Sequence, residues 1–390
     1  MTSSLAPLRG PSFGSYHPDD VGWLLTDLSD ADIEAPIEER EEAIATGGAH
    51  YAESLPIEYQ PTDEYKALYA TALAESAGRL AHAVGTVTEL LLSIRGDDIV
   101  LVSLARAGTP IGILMRRWAA QEHGVDLPHY AVSIVRGRGI DTVALDYLAR
   151  QHDPASVVFV DGWTGKGAIT RELAAAVAAH AGGFVPEMAV LADPGHCVSI
   201  YGTRDDYLIP SACLNSTVSG LVSRTVLNAD LIKPGMFHGA KFYRGLAPAD
   251  VSGAFLDAVS TKFGAVRTAV DRDWPDLAAA DRRPTWSGWA AVQGIADTYG
   301  MGDLTLVKPG VGEATRVLLR RVPWKILVRP DAGADLAHIK VLAAQRGVDV
   351  VEVDDLPYSC VGLIHPHFTR GATGAAGTAV DGLAGAVAQR

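Results

Sequence analysis

Cysteine is scarce in this chain, whose 390 residues include only Cys197, Cys213 and Cys360. The three positions have no spacing typical of a metal site, and so few cysteines cannot build a disulfide framework. A secretory signal would need a basic segment followed by an apolar core, and residues 1–16 do not have this pattern. We therefore expect a reducing compartment and a cytoplasmic protein.

Long hydrophobic runs and net positive charge are also missing. The longest apolar runs, such as residues 99–104, are far shorter than the roughly 20 residues that a membrane-spanning helix needs, so we expect no membrane partner. A formal net charge of −13 argues against a protein that coats nucleic acid with its whole surface. Residues 304–366 depart from this acidic balance, with eight Lys and Arg against seven Asp and Glu, and they predict a local basic face.

What is present is the pattern of an α/β protein. Between residues 98 and 192, apolar runs alternate with helical patterns, which predicts strands at residues 98–104, 129–135, 157–160 and 187–191. Helices between successive strands imply a parallel sheet covered on both faces. Ligand sites in such sheets lie beyond the carboxyl ends of the strands.

A second, smaller α/β unit follows between residues 304 and 364. The sequence therefore predicts a first domain with an N-terminal extension, a helical connector, a second domain and a flexible tail, at residues 1–245, 246–285, 286–366 and 367–390.

A glycine-rich loop after the third predicted strand is the strongest candidate site. The strand delivers Asp161, and the chain then runs through three glycines and Lys166 into a helix. Successive backbone amides in such a turn, together with the helix N-terminus, bind phosphate. A P-loop is excluded because Val160 occupies a position where that motif requires glycine. A dinucleotide-binding fingerprint is excluded because Thr170 occupies the position of its last glycine. The predicted phosphate-binding residues are Gly162, Thr164, Gly165, Lys166 and Gly167. The alternative is an ordinary turn that binds no ligand.

Two arginine-containing turns follow the neighbouring strands of the same predicted sheet. Arg106, Ala107 and Gly108 follow the first strand, where an arginine and two amides would bind pyrophosphate. Arg136 and Arg138 follow the second strand between glycines and predict a mobile cationic lid over a departing anion. An exposed basic loop is the alternative for this second turn.

Together these segments resemble the active site of the type I phosphoribosyltransferases. The resemblance implies a parallel-sheet phosphoribosyltransferase-like domain that uses phosphoribosyl pyrophosphate and an unidentified base-like acceptor. It assigns catalysis to Asp161, Arg106, Arg136 and Arg138, with Mg²⁺ held near Asp161 through the substrate. The family usually has two acids after the strand, whereas this chain has Asp161 and Gly162, so a site that binds without catalysis stays open.

More narrowly, residues 14–20, 48–51, 133–141 and 209–220 resemble the phosphoribosyltransferase-like proteins encoded beside bacterial tellurium-resistance (Ter) genes. The resemblance implies a nucleoside-like product made during a stress response. Members of this family are also labelled cysteine proteases, which would make Cys213 a nucleophile in a Cys–His pair, with Asn215 as an orienting group. A small buried cysteine is the alternative.

Residues 309–366 resemble the Pelota-type RNA-binding domain, a smaller α/β/α module. In that family a glycine-rich turn and the start of a helix contact RNA, which implies RNA binding by Gly310, Gly312, Arg316 and Arg320. A solvated helix face is the alternative. The small net charge of the segment predicts modest, salt-sensitive affinity.

Three functions therefore stay open from sequence. The leading hypothesis is a phosphoribosyltransferase with an appended RNA-binding module. The second is a cysteine hydrolase that uses Cys213, and the third is a non-catalytic sensor of a phosphorylated nucleotide and RNA. The residue pattern does not decide the oligomeric state, and a homodimer is compatible with it.

Overall fold

The computed structural model describes residues 5–35, 50, 52–58 and 60–365, and the predicted tail at residues 367–390 lies outside them. Within this part of the chain the helices are α1 (Asp63–Arg95), α2 (Thr109–His123), α3 (Thr142–Gln151), α4 (Ala168–His180), α5 (Ser252–Ser260), α6 (Phe263–Ala279), α7 (Ser287–Thr298), α8 (Val311–Arg320) and α9 (Ala337–Arg346). The strands are β1 (Gly22–Leu24), β2 (Thr26–Asp27), β3 (Glu34–Ala35), β4 (Leu55–Pro56), β5 (Val100–Ala105), β6 (His129–Val135), β7 (Gly139–Ile140), β8 (Val157–Trp163), β9 (Met188–Ala192), β10 (Ile200–Thr203), β11 (Gly239–Ala240), β12 (Val307–Pro309), β13 (Pro323–Val328), β14 (Asp349–Glu352) and β15 (Cys360–Ile364).

The larger sheet carries the predicted alternation of strands and helices. Its strand order is β1-β6-β5-β8-β9-β10, and each of these strands is parallel to its neighbours, while the short β7 pairs antiparallel with β6. Residues 157–160, the apolar run that predicted β8, are fully buried. The mainly parallel α/β fold is therefore confirmed, while the finer phosphoribosyltransferase-like assignment is not.

The sequence did not predict the two edge strands, β1 and β10. Both are short, and β10 contains Gly202, a residue that weakens a strand pattern. An added Cβ at Gly202 would lie 2.2 Å from the carbonyl oxygen of Ala83 in α1. The glycine is therefore required because α1 packs directly on the strand.

α1 organises the face of the sheet that carries the predicted connector. Thr62 caps its start by accepting a hydrogen bond from the Tyr65 amide at 3.4 Å. The helices of the connector region, α5 and α6, pack against α1. Neither α1, with its 33 residues, nor any other described helix is long and apolar enough to cross a membrane.

The second unit is built on a four-stranded sheet with the order β12-β15-β13-β14. β15 runs antiparallel to β12 and β13, while β13 and β14 are parallel. α8 lies close on this sheet at Gly362, where an added Cβ would lie 3.1 Å from the Cα of Ala314. The opposite side of α8 meets the first unit, and this contact positions the candidate site.

Candidate active site

The glycine-rich loop lies at the carboxyl edge of the larger sheet, as the sequence predicts. β8 delivers Asp161, and residues 164–167 lead into α4 through Gly167, whose φ of +68° favours glycine. The hydroxyl of Thr164 donates a hydrogen bond to Asp193, which ties the loop to the segment after β9. The loop lines a cavity that we call the loop cavity, and phosphate binding there stays a prediction.

Asp161 is a carboxyl group that lines the loop cavity. Burial raises its pKa to about 7, although the Gly162 amide donates a 2.7 Å hydrogen bond to its Oδ1. An acid with such a pKa can exchange a proton near neutral pH. In the part of the chain that the structure describes, no group of three or more His, Cys, Asp or Glu side chains could hold a metal ion.

The second unit holds the loop from outside. Lys166 Nζ donates hydrogen bonds to the carbonyl oxygens of Leu304 and Val307, at 2.6 and 3.3 Å. The Tyr358 hydroxyl donates to the Gly165 carbonyl oxygen at 3.0 Å. The ammonium group predicted to bind phosphate is therefore anchored to the second unit, and burial, with Lys308 and other cations nearby, lowers its pKa to about 8.

The predicted pyrophosphate turn divides between two cavities. Gly108 packs on β8, where an added Cβ would lie 2.3 Å from a carbonyl oxygen, and Ala107 lines the loop cavity. Arg106 Nη1, however, donates to the Val222 carbonyl oxygen at 3.0 Å and lies 3.5 Å from a Glu58 carboxylate oxygen. Arg106 lines a second cavity of about 350 Å³ between the two units, which we call the interdomain cavity.

The predicted cationic lid is a turn between β6 and β7. Arg136 lines the loop cavity, while the Arg138 side chain is half exposed. The amides of Gly137 and Gly139 donate to the Glu172 carboxylate at 2.8 and 2.9 Å. The structure thus ties the turn to α4 and brings one of its two arginines to the cavity; a role for either in catalysis stays a prediction.

The residues predicted to bind RNA lie largely at the contact between the units. An added Cβ at Gly310 would lie 2.8 Å from an indole ring of the first unit, and one at Gly312 would lie 3.1 Å from Ala212. Arg316 and Arg320 line the interdomain cavity. α8 therefore presents its glycines to the first unit and its arginines to that cavity.

Cys213 lies in the turn Pro210–Cys213, directly beneath α8, and is fully buried. The Arg320 guanidinium donates to the Cys213 carbonyl oxygen at 2.7 Å, to Asn215 Oδ1 at 3.1 Å and to a tyrosine hydroxyl of α1 at 3.0 Å. Burial raises the pKa of the thiol to about 12, although Arg320 and Arg316 lower it. Among the described residues, no histidine forms a hydrogen bond with this thiol, so the expected Cys–His pair is not formed there.

The other two cysteines are buried as well. Cys197 Sγ lies behind the glycine-rich loop and contacts the carbonyl oxygens of Gly195 at 3.3 Å and Gly165 at 3.7 Å. Burial and the nearby Asp193 carboxylate raise the pKa of Cys197 to about 12. Cys360 lies on β15 in the second unit, where burial raises its pKa well above the usual range.

Sequence reasoning missed Asp206, Lys308 and Glu58. The buried Asp206 carboxylate accepts hydrogen bonds from the Val311 amide at 2.9 Å and the Ser359 amide at 2.8 Å, and thereby caps α8 from the first unit. Burial raises the pKa of Asp206 to about 6. Lys308 lines both cavities and Glu58 lines the interdomain cavity, yet no motif surrounds any of the three.

Comparison with known proteins identifies two regions of the chain. Residues 14–260 match the model of a family described as tellurite-like stress resistance cysteine protease StiP. Residues 286–366 match the PELOTA RNA binding domain. A relative from Acinetobacter baylyi named cysteine protease StiP is 34% identical over 369 residues, which are 90% of this chain and 94% of the relative. The resemblances to a stress-resistance family and to the Pelota domain are thereby confirmed.

The same matches overturn the expected activity. The family and the relative are both named as a cysteine protease, so the predicted phosphoribosyltransferase reaction is wrong, and so are its partners, phosphoribosyl pyrophosphate and a base-like acceptor. The Mg²⁺ expectation was tied to that reaction and loses this support. A strand, a glycine-rich loop and a helix are local features that proteins of different activity share. In this chain Arg106 donates to Val222, away from the loop cavity, and Lys166 donates to Leu304 in the second unit. The chain belongs to the StiP family of stress-resistance proteins named as cysteine proteases.

Proposed function

We propose that the chain is a cysteine hydrolase that cleaves peptide bonds, with Cys213 as its nucleophile. The names of the family and of the relative support the reaction class. The family match, residues 14–260, contains Cys197 and Cys213 but not Cys360. The choice therefore lies between two thiols.

The observation that carries the choice of Cys213 is the contact with Arg320. A single guanidinium group binds the Cys213 carbonyl oxygen and the Asn215 side chain, and so fixes this turn at the wall of the interdomain cavity. The positive charges of Arg320 and Arg316 favour the thiolate of Cys213. The carboxylate of Asp193 disfavours the thiolate of Cys197, although Arg171 and Arg204 act in the opposite direction.

The chemistry follows from the thiolate. Cys213 Sγ would attack the carbonyl carbon of a peptide bond, and the amine would leave with a proton as a thioester forms. Water would then attack the thioester, release the acid and restore the thiol. Because the thiol is protonated and covered by α8 in the described conformation, we interpret that conformation as a resting state that must open before attack.

The test is hydrolysis of fluorescent casein by the full chain and by two single variants. We expect Cys213→Ala to reduce the rate at least 100-fold, because the nucleophile is lost. Cys197→Ala is the matched control, since it removes an equally buried thiol, and it should retain the rate within about two-fold. Full activity in Cys213→Ala would refute the proposed nucleophile.

A protein that binds without catalysis is the second candidate, and a specific observation favours it. All three thiols are buried with raised pKa values, and the described residues offer Cys213 no histidine partner. The match to the PELOTA RNA binding domain suggests RNA as the ligand, with Arg316 and Arg320 at the cavity wall. RNA binding by a wild-type protein that cleaves no peptide substrate would favour this candidate over the hydrolase.

A further inference from the structure

The described lining residues of the interdomain cavity include more cationic side chains than carboxylates, although the protein as a whole is acidic. Its walls come from β4, the turns around Arg106 and Asn215, and the segment from β12 through α8. Two described carboxylates line it, Glu58 and Glu313. The six cationic side chains among its described lining residues are Arg106, Arg224, Lys308, Arg316, Arg320 and Arg321.

Both carboxylates of the cavity already lie beside arginines. Glu58 Oε1 lies 3.5 Å from Arg106 Nη1, and it also accepts hydrogen bonds from Ser216. Glu313 Oε1 lies 3.9 Å from Arg316 Nη1. The walls therefore bind carboxylates in the chain itself, while Lys308 and Arg321 form no ion pair with a described carboxylate.

Lys308 is the cation of the cavity that most clearly lacks an acidic partner among the described residues. Among the described residues its ammonium group forms no hydrogen bond or ion pair. Burial lowers its pKa, and Arg321, Arg136 and Arg316 lower it further, whereas Glu313 raises it. A partly buried cation among other cations lowers the stability of the empty protein, and a bound anion would reverse that effect.

The neighbouring features favour a carboxylate ligand over a phosphate. The backbone amides at the start of α4, the kind of group that binds phosphate, line the loop cavity instead. The interdomain cavity offers side-chain cations spread over two walls, which suits several separate carboxylates. It also contains Arg320, which donates hydrogen bonds to the Cys213 carbonyl oxygen and to the Asn215 side chain.

We propose that the interdomain cavity is the substrate site of the hydrolase and accepts an acidic peptide, with one Asp or Glu side chain of the peptide beside Lys308. The identification as a substrate site rests on the proposed function. Binding of the peptide does not require the thiol. The proposed binding site and the proposed hydrolase activity can therefore be refuted separately.

The test is the binding of fluorescein-labelled hexaglutamate to the full chain carrying Cys213→Ala, measured by fluorescence anisotropy. We expect Lys308→Met in this background to weaken binding at least ten-fold. Lys340→Met is the control, because Lys340 is an exposed lysine of α9 away from the cavity, and it should change binding less than two-fold. Lys308→Met should also raise the melting temperature of the ligand-free protein, since it removes a partly buried charge among cations, whereas a misfolded variant would lower it.

Two results would overturn the proposal. One is equal affinity of Lys308→Met and Lys340→Met for hexaglutamate. The other is tight binding of inorganic triphosphate or of a single-stranded RNA hexamer under conditions in which hexaglutamate does not bind, since the ligand would then carry phosphate. Hexaglutamate binding by a wild-type protein that cleaves no acidic peptide would instead remove the proposed hydrolase and leave the anion site in place.

Discussion

Cys213 and Cys197 are equally buried, yet their surroundings differ in charge. The Cys213 turn is held by Arg320 beneath α8, and positive charge acts against the effect of burial on its pKa. Cys197 lies behind the glycine-rich loop, where Asp193 adds to the effect of burial. The comparison teaches that burial alone does not rank the two thiols. Asp193 raises the pKa of Cys197 against the opposing effects of Arg171 and Arg204, whereas Arg320 and Arg316 lower the pKa of Cys213.

The largest expected effect comes from a substitution that separates α8 from the Cys213 turn and so exposes the thiol. Gly312→Leu would place a side chain against Ala212, because even a Cβ at Gly312 would lie 3.1 Å from that residue. Overpacking costs about 1–3 kcal/mol, and about 1.4 kcal/mol corresponds to a ten-fold change in a local opening equilibrium. We therefore expect iodoacetamide to modify Cys213 about ten-fold faster, as measured by mass spectrometry of tryptic peptides.

A matched control is available in α7. Gly294 is also helical, and an added Cβ there would meet nothing within 4 Å, so Gly294→Leu should leave both thiols unchanged. Cys197 should stay within about two-fold of its wild-type rate in either variant. Equal acceleration of Cys197 and Cys213 by Gly312→Leu would show that the variant unfolds the protein generally and does not uncover one turn.

What the sequence could predict depends on how local the signal is. β6 was predicted at its observed bounds because a largely apolar segment of the sequence forms it. The Asp161 loop was found because its glycines lie in sequence directly between β8 and α4. Asp206 could not be found, since its partner amide at Val311 lies 105 residues away. The contact of Gly312 with Ala212 likewise depends on how the two units pack.

The function was misjudged for a related reason. Sequence proximity grouped Arg106 with the glycine-rich loop, because both follow strands of one sheet. In the folded chain the Arg106 side chain reaches Val222 and Glu58 and lines the interdomain cavity. The direction of a long side chain is set by distant partners, which a strand-and-turn pattern does not contain.

A second prediction concerns the glycine-rich loop beside Cys197, where the raised pKa of the Asp161 carboxyl makes the stability of the protein depend on pH near neutrality. The folded pKa of Asp161 is about 7, above its ordinary value of 3.8, so the folded chain retains a proton that the unfolded chain loses between these values. This contribution to stability is fully present below the ordinary value and is lost as pH rises through 7. Relative to Asp161→Asn, the wild type should therefore lose about 2–3 kcal/mol of unfolding free energy between pH 5 and pH 8.

Urea denaturation of both proteins at pH 5, 6, 7 and 8 measures this difference. Asp161→Asn should be the more stable protein at pH 8, and its advantage should shrink towards pH 5. The exposed Asp97→Asn is a control that should show no such trend. A difference that is independent of pH, or that grows as the pH falls, would contradict the raised pKa of Asp161.

The smallest expected effect is the change in stability when Cys197, the second thiol of the comparison, is replaced. Its thiol is a weak donor to the Gly165 carbonyl oxygen, and the Tyr358 hydroxyl already donates to that oxygen at 3.0 Å. Cys197→Ala should therefore lower the free energy of unfolding by only about 1 kcal/mol, through the lost contacts of a small buried group. Thermal denaturation measures this loss, and a casein assay on the same sample reports the rate. If Cys197→Ala abolished hydrolysis while the fold and Cys213 were intact, the roles of the two thiols would have to be exchanged, and the charge around a buried thiol would not be what selects the nucleophile.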